Sequence, residues 1–316
     1  MVLFEFFQSL AALRRMKNRS LVLLALLFST VLAGCGLLSL TPFRLGIEEM
    51  PEDEIGMHIF YALRWDEKGT RSAVRWSESP AINALLQQLT QGGPVRKAVI
   101  DPEPVIRAGR RLSQFSVEKA LMYQLNAAFR KGGPFVARNI HQGLGEKVRV
   151  RELLETMPER AMLLLATKVF LTPDHRALQM ETSARLYLKK TTADRGRWHT
   201  FGKLLPLPIY ANTVISQTVV DVAEPSGAVA AWLDDGGEAL REALVQAVKE
   251  TAYLFALDIN GNGRQIGGQG VQTWKAVDGR RRGVKTLRGS LIFETDHRYV
   301  IRLSTGQIMS LPRQAL

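Results

Sequence analysis

A few groups of side chains in this chain have types and spacings that could do chemistry. Asp258-Ile-Asn260-Gly-Asn262-Gly263 places oxygens at alternate positions before a glycine bend, which is the first half of a calcium loop. The second half does not follow, because Gln269 stands twelfth, where a bidentate glutamate belongs, and Arg264 adds a repelling charge. Ser116-Val-Glu-Lys119 has the spacing at which one helical turn brings an amine to a hydroxyl. The Ser-Asp-Asn and Lys-Thr-Gly partners of such an acylating serine are missing, since Lys285-Thr286 runs into Leu287. Ser116 reads better as a helix N-cap, with Glu118 favourable at the positive end of the helix dipole. His58, His141, His175, His199 and His297 are scattered without metal-ligand spacing, and Asp174-His175 suits a turn. Arg280-Arg281-Arg282 follows an Asp278-Gly279 turn. With Lys285, Arg288 and Arg302 it forms a candidate anion-binding group, because guanidinium forks match phosphate and carboxylate. No nucleophile elbow, Walker loop or dinucleotide fingerprint is present, so no catalytic residue is assigned and no cofactor is expected.

The remaining candidate is the only cysteine. Leu32-Ala33-Gly34-Cys35 closes an apolar run from Leu21 to Leu32, preceded by Arg14, Arg15, Lys17 and Arg19. This stretch resembles the lipobox of bacterial lipoproteins, which implies cleavage between Gly34 and Cys35 and a covalent lipid on the Cys35 sulfur. Residues 1–34 then read as a signal peptide. Met16 is an alternative start that gives the usual order of basic region, apolar region and cleavage site. The apolar run is shorter than the roughly 20 residues a membrane-spanning helix needs. Gly36 stands where aspartate tends to retain lipoproteins in the inner membrane, so the resemblance implies the outer membrane, periplasmic face. Two acyl chains and a third on the amine anchor stably, because each buried methylene contributes about 0.8 kcal/mol. With one cysteine, no internal disulfide can form.

Removing residues 1–34 takes four of 42 basic residues and one of 30 acids, leaving a net charge of +9. Most of that surplus lies after residue 263, where ten basic residues face only Asp278, Glu294 and Asp296. In the periplasm such a face meets anionic lipid, lipopolysaccharide and peptidoglycan carboxylate, and nucleic acid is not an expected partner.

These residues need elements to position them. Residues 35–54, with Pro42, Pro51 and an acidic run, read as a lipidated tether, and order is expected to begin at Ile55. Ile55 to Trp65 reads as a strand, with Val74 and Trp76 in a partner. A helix through Ile82, Leu85, Leu86 and Leu89 stops at Gly92-Gly93-Pro94 before Val95 to Ile100. A second, from Val117 to Phe129, stops at Gly132-Gly133-Pro134 before Phe135 to Ile140. Met162 to Leu171 and Ala177 to Lys189 predict a hairpin, Trp198 to Leu205 another strand, and 209–223 either helix or strand. Glu238 to Leu257 carries the clearest helical stripe. After it come short β-like runs, Val271 to Val277, Ser290 to Glu294, Tyr299 to Leu303 and Gln307 to Leu311. Alternation in Tyr299 to Leu303 is expected to expose Arg302.

The expected architecture is α+β: a layered α/β sheet domain over 55–258 and a small basic all-β module over 259–316, marginal alone and leaning on the main domain. The element order is similar to auxiliary lipoproteins of lipid-handling ABC transporters and to curli-secretion and penicillin-binding-protein-activator lipoproteins. That likeness implies a non-catalytic scaffold or accessory with an envelope protein partner. A direct binder of anionic lipid, lipopolysaccharide or peptidoglycan is the alternative, and an envelope hydrolase is third.

Overall fold

The computed structural model describes residues 43–44, 55–62, 80–90, 102–130, 134–144, 150–189, 208–260 and 270–313. In chain order the elements are β1 (Phe43–Arg44), β2 (Ile55–Ala62), α1 (Pro80–Thr90), α2 (Pro102–Leu112), α3 (Val117–Phe129), β3 (Phe135–Leu144), α4 (Val150–Thr156), β4 (Ala161–Leu171), β5 (Ala177–Leu188) and β6 (Tyr210–Val219). There follow α5 (Ala228–Leu233), α6 (Glu238–Ile259), β7 (Gln272–Val277), β8 (Val284–Glu294), β9 (Arg298–Leu303) and β10 (Ile308–Pro312). The class is α+β. Among the described residues no helix is long and apolar enough to cross a membrane.

One mixed sheet runs β3-β2-β4-β5-β6-β10-β9-β8-β7, with β1 added on β6. The expected hairpin is the antiparallel pair β4 and β5, matched from Ala161–Leu188 to Leu171–Leu178. Its turn is built as turn chemistry predicts. His175 takes φ 59 and donates its N–H to Thr172 O, while the Thr172 hydroxyl reaches Asp174 Oδ1 at 2.7 Å. The undecided segment 209–223 is mostly the strand β6. The C-terminal antiparallel strands join the main sheet through β10, parallel to β6, with Ile308 to Ser310 opposite Val214 to Ser216. They therefore form a module that shares hydrogen bonds with the larger sheet.

Helices cover one face of this sheet. Leu163, Leu165, Met180 and Val214 from the strands meet Leu121, Leu125, Phe129, Leu244 and Phe255 from α3 and α6. Ser116 caps α3 by accepting the Lys119 backbone N–H at 3.2 Å. On the opposite face Leu154 of α4 and Met157 just after it pack on Phe60, Met162 and Tyr187. Beyond it the C-terminal strands curl over a second small core of Ile215, Ala276, Ile301, Met309 and Leu311. The curl needs a close approach at Gly289, where a Cβ would lie 2.6 Å from Arg302 O.

Three expectations differ from the structure. Order begins before Ile55, because Phe43 and Arg44 pair antiparallel with Ala211 and Tyr210 on the stretch of β6 that β10 leaves open. Helices α2 and α4 were not expected. Strand β8 starts at Val284 instead of Ser290. The proposed strands around Val74, Val95 to Ile100 and Trp198 to Leu205 lie outside the described residues, as do Gly34, Cys35, Asn262 and Gln269.

Candidate functional site

Helix α6 and strand β9 lie face to face, and their charged residues meet in two rungs. Eight residues of helix advance about 12 Å and four residues of strand about 13 Å. Glu250 and Asp258 on α6 are therefore in step with Arg298 and Arg302 on β9. Arg298 Nε lies 2.7 Å from Glu250 Oε1, and Arg302 Nη2 lies 2.8 Å from Asp258 Oδ1.

Each rung is completed by β6 and β10. Asp258 is 2% exposed, and its Oδ2 also accepts from Tyr210 Oη and Asn212 Nδ2, both at 2.8 Å. Burial alone would raise the Asp258 pKa. The Arg302 charge and the hydrogen bonds from Arg302, Asn212 and Tyr210 outweigh it and hold the carboxyl below its ordinary value. Arg298 donates to Ser310 Oγ at 2.7 Å and to Gln217 O at 2.7 Å, while Ser216 Oγ donates to Glu250 Oε2 at 2.8 Å. Burial lowers the Arg298 pKa, and Glu250 counters that shift. A guanidinium so paired stays charged.

This arrangement bears on the weak calcium-loop candidate and corrects the expected exposure of Arg302. Asp258 ends a helix with both oxygens occupied by protein donors, so it is placed as the anion of an ion pair and not as the first ligand of a calcium loop. Arg302 does alternate away from Ile301 and Leu303. The face it occupies packs on α6, however, and its guanidinium is half-buried with a carboxylate already in place.

The other candidate cations are divided by the hairpin of β7 and β8. Arg280, Arg281 and Arg282 are all exposed in the loop between these strands, where the Arg280 N–H bonds Asp278 Oδ1 at 2.9 Å. None of the three guanidinium groups has a carboxylate partner among the described residues. Lys285 pairs with Ala276 on the inner face of the curl, whereas Arg288 stands exposed opposite Thr273. Arg280 to Arg282 therefore form one cluster, and Lys285, Arg288 and Arg302 belong to other surfaces.

The loop comes to rest beside the turn between β4 and β5. Gln217 of β6 bridges to Val277 O at 2.9 Å, and a Cβ at Gly279 would lie 2.8 Å from Gln179 Oε1. His175 in that turn is buried, which lowers its pKa. Asp174 opposes the shift and Arg282 adds to it. Trp232 Nε1 holds the turn by donating to His175 O at 2.7 Å.

Sequence reasoning missed the rungs and also a shallow groove of about 360 Å³ between α3 and α6, lined by Phe115, Ala120, Tyr123 and Val245 with Lys119 and Lys249. Tyr123 is 70% exposed. No known family model matches the chain and no significant match is found among curated proteins, so the reading of function rests on these residues.

Proposed function

We propose that the chain is an outer-membrane lipoprotein whose periplasmic α+β domain is a non-catalytic scaffold or accessory of an envelope assembly. The observation that carries this reading is Leu32-Ala33-Gly34-Cys35, with the only thiol of the chain at the attachment position. Mass spectrometry of the mature N-terminus is expected to find diacylglyceryl on the Cys35 sulfur, and density separation to place the protein with the outer membrane. Cys35→Ser should abolish both. A Cys35→Ser protein that still carries lipid, or a parent protein confined to the inner membrane, would refute the reading.

The exposed loop Arg280 to Arg282 favours a second reading, in which the domain itself holds an anionic envelope polymer. Three guanidinium groups at a loop tip, with no carboxylate partner among the described residues, suit carboxylate or phosphate, and such binding weakens as salt screens it. The soluble domain is expected to sediment with isolated sacculi at low salt and to leave them as ionic strength rises. Changing all three arginines to alanine should remove most of that binding and leave the melting temperature nearly unchanged. Equal sedimentation of variant and parent would reduce the cluster to a solvated loop.

A further inference from the structure

Helices α3 and α6 lie side by side over the sheet, and each turns a row of residues away from it. On α6 the row is Val245, Lys249 and Tyr253, spaced by four and so stacked on one face. On α3 it is Lys119, Ala120 and Tyr123, with Phe115 just before the helix. Tyr123 and Tyr253 are two of the four large apolar side chains that stand exposed among the described residues. The groove of about 360 Å³ lies between the rows, and a second hollow past the start of α3 shares Phe115, Lys119 and Ala120 with it.

The charges in the groove lining are both positive, Lys119 and Lys249. Of the acids on the two helices, Glu118 is buried and its carboxylate accepts from Ser116 Oγ at 3.0 Å. Glu238 is held by Arg241 and Arg111, Glu250 by Arg298 and Asp258 by Arg302. Glu242 is exposed one turn before Val245, outside the lining. The groove is thus an apolar floor between two cations. An extended chain laid in it would turn backbone amides onto side chains that cannot pair with them, whereas a helix satisfies its own. An acyl chain calls for an enclosed cavity, and this one is open. A two-fold copy of the chain would set Lys119 and Lys249 against the same two cations.

We propose that this groove takes an acidic amphipathic helix of an envelope protein. The incoming helix presents apolar side chains two turns apart to the floor, with Asp or Glu beside them to meet Lys119 and Lys249, and Tyr123 is its anchor. The spacing fits, because α6 advances about 12 Å from Val245 to Tyr253, the same two turns. The inference names the docking face of the accessory reading and rests on that reading.

The test is photo-cross-linking of the full chain in the cells that make it, with Tyr123→benzoylphenylalanine. Irradiation is expected to join position 123 to one protein, within a segment whose apolar residues recur at helical spacing and are flanked by Asp or Glu. Lys119→Glu with Lys249→Glu leaves the apolar floor in place and should cut the yield about tenfold or more. Both lysines are exposed, so the melting temperature should hold. A cross-link only to lipid, to a second copy of this chain or to a segment without that pattern overturns the proposal, as does an unchanged yield from the double variant or no cross-link at all. Formaldehyde treatment of the same cells separates the failures. A protein partner captured by formaldehyde with none joined at position 123 defeats the groove alone, and a chain recovered without any partner defeats it together with the accessory reading.

Discussion

Asp258→Ala is expected to destabilise the domain by about 3 kcal/mol, towards the lower end of what breaking a buried ion pair costs. The carboxylate is 2% exposed and serves three donors, so its removal leaves the Tyr210 hydroxyl, the Asn212 amide and the Arg302 guanidinium without their acceptor. Arg302 is 31% exposed at its side chain and recovers some hydration, which is why the upper end of the range is not reached. The effect should also depend on pH. Because the folded pKa of Asp258 lies below its unfolded value, the unfolded chain binds the proton first as pH falls. The increment is therefore complete above the ordinary aspartate pKa of about 4 and is lost as pH drops through the folded value. Arg302→Met removes the charge that does most to hold the carboxyl down and should narrow that acid window. Denaturant titrations of parent, Asp258→Ala and Arg302→Met between neutral pH and strong acid measure this. A cost under about 1 kcal/mol for Asp258→Ala, within the range of an exposed pair, would show that the rung is decorative.

The rungs explain which parts of the chain were legible in its sequence. Helix α6 announces itself because its apolar residues repeat at the helical period, and the hairpin of β4 and β5 because two apolar-rich runs flank a turn at Thr172 to Arg176. Helix α2 does not, since Val105, Ala108 and Leu112 are its only fully buried apolar residues and its two prolines suggest a loop. Helix α4 is seven residues long, too short for a period to show. The segment 209–223 was undecidable for a different reason. Asn212, Ser216 and Gln217 are polar yet buried, and their partners Asp258, Glu250 and Val277 lie far along the chain. Burial of a polar residue depends on those partners, which local pattern cannot supply. The candidate site divides in the same way. The Arg280 to Arg282 loop was readable because a turn and three adjacent cations are local features. The fate of Arg302 was not, because its exposure depends on α6. A partial signal was available: Glu250 on the predicted helix and Asp258 just past its end are eight apart, and Arg298 just before the predicted strand and Arg302 on it are four apart.

Gln217→Ala is expected to cost about 2–4 kcal/mol, because two buried backbone groups would lose their partners at about 1–3 kcal/mol each. Gln217 is fully buried, and its side-chain amide behaves as a substitute strand. Nε2 donates to Val277 O at 2.9 Å, while Oε1 accepts the Val277 N–H at 3.1 Å. Strand β7 is four places from β6 in the sheet order, so this amide is what closes the end of the curl over Ile215 and Ala276. Nε2 also reaches Gln179 Oε1 at 3.1 Å, which ties the closure to β5. Volume alone should not rescue the loss. Gln217→Leu fills the space but offers neither donor nor acceptor, and Gln217→Glu, when ionised, cannot donate to the Val277 carbonyl. All three variants are expected to lower the denaturation midpoint. Hydrogen exchange should locate the damage, with the Val277 amide losing protection while β9 and β10 keep theirs through their own antiparallel ladder. If Gln217→Leu proves as stable as the parent and the Val277 amide stays protected, the second small core alone holds the curl closed. The Arg280 to Arg282 loop depends on the outcome. It follows β7 directly, so opening the Gln217 closure should release the loop from the β4–β5 turn and relieve the effect of Arg282 on His175.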